Sequence, residues 1–269
     1  MTHRRTPKPR PASSFKLKPL LLSALVGLIP VISGMLILYW QVDRSLMRDS
    51  VAAGQRAILH IDRTLERADD LTARAGSLAG QECTVILEQM RRMVVGYPSV
   101  RSMVMGNPEK FYCGSELGAI DSPLSPELAS VTKLLLRAGS LPTPDRPSLM
   151  FRRYEGSNTV NAVIDAQVVG ENLAYASNGA DVMLENNGLY IDASSQLITY
   201  DFASHADYHA VQTSSLYGYR IHSGMAPDKA LHAFKAQALP IFGTLLLLGV
   251  MTAGVCHWLS CRPRGPRER

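Results

Sequence analysis

The sequence predicts an α+β domain, a long N-terminal helix with an antiparallel sheet, held between two transmembrane helices. Three observations carry this. Two uncharged apolar runs lie near the ends of the 269-residue chain. A helical apolar stripe follows the first run directly. A series of short β-rich segments, punctuated by Gly, Pro and Asn, fills the rest.

The first run, Leu20 to Trp40, contains no Asp, Glu, Lys, Arg or His, and the second, Ala238 to Ser260, is interrupted only by His257. A bilayer core of about 30 Å takes roughly 20 apolar residues as a helix, and a helix satisfies its own backbone in lipid. Tyr39, Trp40 and Trp258 sit where amphipathic rings meet the membrane–water interface. The first run exceeds a signal-peptide core of about 7–15 residues, and "YWQVDRSLM" after it offers no small-x-small cleavage site. It therefore reads as an uncleaved anchor.

Charge sets the direction. Arg4, Arg5, Lys8, Arg10, Lys16 and Lys18 precede the first span; Arg262, Arg264, Arg267 and Arg269, against Glu268, follow the second. Lys and Arg flanking spans stay cytoplasmic. The expected organisation is a cytoplasmic basic tail at 1–18, a span at 19–42, an external domain at 43–237, a span at 238–260 and a cytoplasmic basic tail at 261–269. The tails carry +6 and +3 of a total of +5, which leaves −4 outside. The pI of about 9.1 is thus a topology signal, and no nucleic-acid partner is expected.

The external segment is large enough for a domain with its own core. Met47, Val51, Ile58, Ile61, Leu65, Ala68 and Ala75 recur at alternating steps of three and four, with Gly54 and Thr72 in the gaps. That is an amphipathic helix, packed on its own domain or also forming a dimer seam. A second helix is expected over Glu82–Val95, ended by Gly96, Tyr97 and Pro98. "VRSMVMG" and "KFYCGSE" read as strands around the turn "NPE". Pro-rich "GSLPTPDRPS", Gly139 to Ser148, separates front from back. Strands are expected over Ser148–Arg152, Val160–Val169, Val182–Leu184, Gly188–Ile191, Gln196–Tyr200 and Tyr217–His222, with "ENNG" as a hairpin turn. Pro227 and Asp228 open a last helix that feeds the second span.

Of four cysteines, Cys83 and Cys113 fall outside the membrane, in an oxidising compartment if the topology holds. They can form a structural disulfide, a redox-active one, or remain two buried thiols. Cys256 reads as a small apolar residue in the second span, and Cys261 borders basic residues at the interface, a weak palmitoylation candidate. His205 and His209, four apart with Asp201 and Asp207 nearby, could face a metal on a helical turn, but the stretch lacks a general-base motif and reads as loop. No metal or cofactor is expected. Ser23-x-x-x-Gly27 and Gly249-x-x-x-Ala253 are small-xxx-small patterns of the kind that let membrane helices meet.

The stretch "VRSMVMGNPEKFYCGSELG" resembles the signature of the CSS-motif sensor domain, with Cys113, Gly114, Ser115 and Gly118 at the motif and Cys83 upstream in a helix. "SSLYGYRIHSG" looks like the family's closing strand. Gly114 stands where the family has its central Ser. The resemblance implies a bacterial inner-membrane protein, two-pass, with its central domain in the periplasm. It also implies a Cys83–Cys113 pair that acts as a redox-controlled brake on a cytoplasmic EAL domain hydrolysing cyclic di-GMP. This sequence carries no EAL segment before it ends at Arg269, so the chain as given is expected to be a sensor without catalytic activity. Expected partners are the membrane, the periplasmic thiol-oxidising system, and a second copy or an EAL-containing relative in a mixed dimer. The alternatives are a truncated or split cyclic-di-GMP phosphodiesterase, and a periplasmic small-ligand sensor with a structural disulfide.

Overall fold

The computed structural model describes residues 17–124, 133–139, 146–198 and 207–261. Most of the two basic tails, most of the Pro-rich 139–148 stretch, Asp201, His205 and the end of the strand expected over 196–200 lie outside the described residues. The chain divides into two units, one of residues up to Asp43 and from Leu231, the other of Arg44–Ala230.

In the first unit, α1 (Leu17–Ala75) and α4 (Pro227–Cys261) each contain a stretch long and apolar enough to cross a membrane. Their apolar side chains, such as Leu25, Ile29, Leu36, Leu247 and Val255, face outward, the pattern expected of lipid-facing positions. The small-residue patterns of the two helices meet each other. A Cβ on Gly27 would stand 2.6 Å from the Gly249 carbonyl oxygen and 2.7 Å from the Ala253 Cβ. A Cβ on Gly34 would stand 2.5 Å from Leu245. Backbones approach this closely only where side chains are missing.

The second unit holds the rest of α1, α2 (Cys83–Val95), α3 (Ala166–Ser177) and eleven strands among the described residues. These are β1 (Ser102–Gly106), β2 (Lys110–Gly114), β3 (Gly118–Pro123), β4 (Leu134–Arg137), β5 (Ser148–Glu155), β6 (Asn158–Asp165), β7 (Asp181–Asn186), β8 (Leu189–Asp192), β9 (Leu197–Ile198), β10 (Asp207–Thr213) and β11 (Arg220–Met225). They form two antiparallel sheets where one was expected. The first runs β3-β2-β1-β6-β5-β4 and the second β10-β11-β7-β8-β9.

One core joins both sheets to the helices. From α1 it takes Ala53, Ala57, Ile61, Leu65, Ala68, Leu71 and Ala75, all fully buried. Of the stripe legible in the sequence, Ile61, Leu65, Ala68 and Ala75 pack into the domain's own interior and Ile58 packs against it, while Met47 at its start is exposed. The core also takes in Ile86 and Met90 on α2, Met103, Met105 and Cys113 on the first sheet, Val169 and Leu173 on α3, and Val182, Leu184 and Ile221 on the second sheet.

Two expectations change. The apolar run read as one strand over Val160–Val169 is β6 followed by α3. Asp165 switches the backbone, its side chain accepting from the Gln167 N–H at 2.9 Å as the N-cap. The helix ends at Asn178, in the left-handed region at φ 42°. His209, considered for a helical turn, lies in β10. The "ENNG" hairpin is as expected, with Asn187 at φ 53° and Gly188 at φ 76° between β7 and β8.

Candidate functional site

Cys83, the first residue of α2, is joined by a disulfide to Cys113 in β2, with Cα atoms 5.2 Å apart. Cys113 is fully buried and Cys83 half-buried. Cys113 pairs with Met105 of β1 on one side and Ala119 of β3 on the other. The bond thus fastens the start of α2 to the middle of a three-strand segment. The Sδ of Met90, one α2 residue seven beyond Cys83, lies 3.8 Å from the Cys113 Sγ.

Of the motif residues after Cys113, Ser115 and Gly118 each have a distinct task. The Ser115 N–H donates to the Met103 carbonyl at 2.9 Å. The Met103 N–H donates back at 3.0 Å to the Ser115 hydroxyl oxygen, where a regular antiparallel pair would use the carbonyl. The freed Ser115 carbonyl accepts from the Arg91 Nε at 3.0 Å. The hydroxyl therefore closes the β1–β2 ladder while the carbonyl turns to α2. Gly118, at φ +78°, opens β3 in a conformation that side chains resist. Gly114 is under no such demand: a Cβ there would find nothing nearer than 3.8 Å. The hydroxymethyl group that the resemblance places at 114 fits this backbone.

Ser115→Ala should leave the buried Met103 N–H without its acceptor and cost about 1–3 kcal/mol. Gly114→Ser should range from no change to a gain of about 1 kcal/mol, through the unfolded chain. Denaturant midpoints of the two variants, measured side by side in micelles, check the contrast.

Met90, Arg91, Met103 and Tyr112 support this site and were not foreseen. The Tyr112 hydroxyl accepts from the Gly80 N–H at 2.7 Å and holds the loop before α2. The legible signal was the spacing on α2, which sets Met90 and Arg91 seven and eight residues beyond Cys83, on the face of that cysteine.

The second sheet is tied to α1 around Asp62. The hydroxyls of Tyr219 and Ser214 donate to Asp62 Oδ1 at 2.7 and 2.9 Å. The Gln212 amide donates to the Val51 carbonyl at 2.8 Å. Burial, and then the hydrogen bond to Asp62, push the Tyr219 phenol far above its ordinary value. Below about pH 10 both folded and unfolded chains hold that proton. Above it the unfolded chain releases the proton and the folded chain retains it, so stability falls as pH rises, by up to about 1.4 kcal/mol per unit. Tyr219→Phe should remove one proton's share of that slope, read from denaturant midpoints between pH 9 and 11.

On the second sheet, Glu185 is buried between Arg220 and His222, with His222 Nε2 2.6 Å from Glu185 Oε2 and His222 Nδ1 3.1 Å from His209 Nε2. The His209 ring thus enters a hydrogen-bonded chain. Among the described residues no group of three His, Cys, Asp or Glu could hold a metal. Cys256, half-buried in α4, takes no part in the disulfide. The Cys261 side chain lies outside the described residues.

The "CSS motif domain associated with EAL" matches residues 47–238. No curated protein matches the chain. Several solved structures are similar, among them the following two. An extracellular ligand binding receptor from Desulfohalobium retbaense DSM5692 aligns with TM-score 0.46 and 10% identity, over 65% of this chain. The chain spans 39% of that receptor's length. The extracellular domain of the histidine kinase soHK1S-Z6 aligns with TM-score 0.41 and 8% identity, over 74% of this chain and 99% of its own.

Proposed function

We propose that this chain, which belongs to the CSS-motif family of domains associated with EAL, is a membrane-anchored redox sensor of the bacterial periplasm. The carrying observation is the Cys83–Cys113 bond between the first turn of α2 and the centre of a sheet segment. Oxidised, the bond clamps α2 to β2. Reduced, it leaves α2 held by apolar packing and by the Arg91–Ser115 contact. The two arrangements differ by a local shift of one helix, the type of small change that packed elements convert into a switch. The output runs through α1, one helix from Leu17 to Ala75, and through its small-residue contact with α4. It reaches an EAL-bearing partner that degrades cyclic di-GMP.

The reading requires the central domain to be periplasmic. Alkaline phosphatase, which needs disulfides to fold, should be active when fused after Gly179 and inactive when fused after Arg269. Activity at the C-terminal fusion would contradict the topology. The function itself is tested by alkylating thiols in whole cells. Cys83 and Cys113 should resist labelling in cells with an intact periplasmic oxidation system and accept label when that system is removed. Two free thiols in oxidising cells would end the proposal.

A further inference from the structure

A thioether lies against the bond. Cys113 and Met90 are both fully buried, and their sulfur atoms lie 3.8 Å apart without a bond between them. A metal–sulfur bond of about 2.3 Å places two donors of a three-coordinate site about 4 Å apart. One edge of such a triangle therefore already exists in the folded protein. The third corner is Cys83, which needs only to leave bonding distance of Cys113. We infer that the reduced pair, together with Met90, forms a three-sulfur site for monovalent copper. This rests on the reading that the disulfide opens in the folded protein.

The donor set selects the metal. Two thiolates and a thioether are soft ligands, which suit Cu(I). Zinc sites draw four ligands from Cys, His, Asp and Glu, and a thioether is not among them. Iron–sulfur clusters take four cysteines. Copper with two thiolates carries one negative charge. The Arg91 guanidinium, whose Nε donates to the Ser115 carbonyl two residues beyond Cys113, is already paired with Glu88 at 2.9 Å, so the selection rests on the softness of the donors. Gly80, Gln81 and Glu82, exposed immediately before half-buried Cys83, give the ion a way in.

The chemistry balances in two steps. A dithiol reductant donates two electrons and two protons, the Sγ–Sγ bond breaks, and the reductant leaves as its own disulfide. Cu(I) then binds both sulfurs, both thiol protons pass to solvent, and copper keeps its oxidation state. The disulfide and the copper-bound form use the same atoms and exclude one another, so copper would hold the sensor in its reduced arrangement.

The test uses the full chain in detergent micelles, reduced with dithiothreitol and desalted without oxygen. Free thiols and the far-UV spectrum are recorded first. Cu(I) is then titrated against bathocuproine disulfonate, with Cys83→Ala/Cys113→Ala as the reference that subtracts copper held by other thiols. One Cu(I) per chain above that reference is expected, with none in the oxidised protein and no displacement by equimolar Zn(II). Outer-shell partners alone cost 10–100-fold in metal affinity when removed, so Met90→Leu should weaken binding at least tenfold while keeping two reducible thiols. A folded, reduced chain that binds no more Cu(I) than the reference overturns the site. Equal affinity in Met90→Leu overturns the three-sulfur geometry. A far-UV signal lost on reduction, whatever the copper titration then reads, defeats the redox-sensor reading, and this inference with it.

Discussion

Replacing Cys83 and Cys113 together by alanine should lower the stability of the domain by about 3.6 kcal/mol, within the 2–5 kcal/mol usual for a native disulfide. The loop that the bond closes spans 30 residues, and the chain-entropy account converts that length into the central figure. The loop contains all of α2, β1 and the turn between β1 and β2, so its release touches much of the first sheet. Alanine is the right replacement, because Cys113 is buried among Met90, Met103 and Met105 and a serine hydroxyl there would add its own desolvation cost. Denaturant unfolding in micelles reads the loss, and wild-type protein under reductant should lose a similar amount. A change below about 1 kcal/mol would mean that apolar packing alone holds α2, far from the value the loop length gives.

Leu65→Ala should cost about 2–5 kcal/mol, the range for truncating a buried leucine. Leu65 is 0% exposed and lies between Ile61 and Ala68 on the face of α1 that meets both sheets. The same residue belongs to the near-heptad stripe that could have been a dimer seam. The two uses differ in one observable. A core leucine destabilises the domain equally at every protein concentration, whereas a seam leucine makes the loss depend on concentration. Melting curves across a hundredfold dilution should superimpose in shift. A shift that grows on dilution would assign Leu65 to an interface between copies.

The parts legible in the sequence were those set by local chemistry. The two apolar runs, the stripe from Ile58 to Ala75, α2 with its stop at Gly96, and the Asn187–Gly188 hairpin follow from hydropathy period and turn residues. The Cys83–Cys113 pair was legible as a possibility, through the family resemblance and the shared compartment. What stayed hidden depends on contacts between distant segments. α3 reads as an extension of β6 because "VNAVIDAQVV" is rich in Val and Ile, broken only by Asn161, Asp165 and Gln167, and the Asp165 cap alone divides strand from helix. Four strands of the second sheet are legible as strands, but their separation from the first sheet is not, and β10 is missed: none of its residues is fully buried, Val211 is exposed, and it pairs with β11 across a register shift. The part played by the Ser115 hydroxyl is invisible in the sequence, since it follows from where the β1–β2 ladder ends. The meeting of Ser23-x-x-x-Gly27 with Gly249-x-x-x-Ala253 joins two patterns more than 200 residues apart, each unremarkable alone.

The most direct measurement of the central claim is a redox titration of the full chain in micelles, with alkylation trapping of Cys83 and Cys113 and the far-UV spectrum followed at each potential. Structural disulfides resist reduction until below about −300 mV, whereas labile and regulatory ones open at higher potentials. A midpoint above about −300 mV, reached while the helical signal is retained, is the result expected of a sensor. A pair that opens only far below about −300 mV, or only as the fold is lost, would make Cys83–Cys113 a staple and contradict the account.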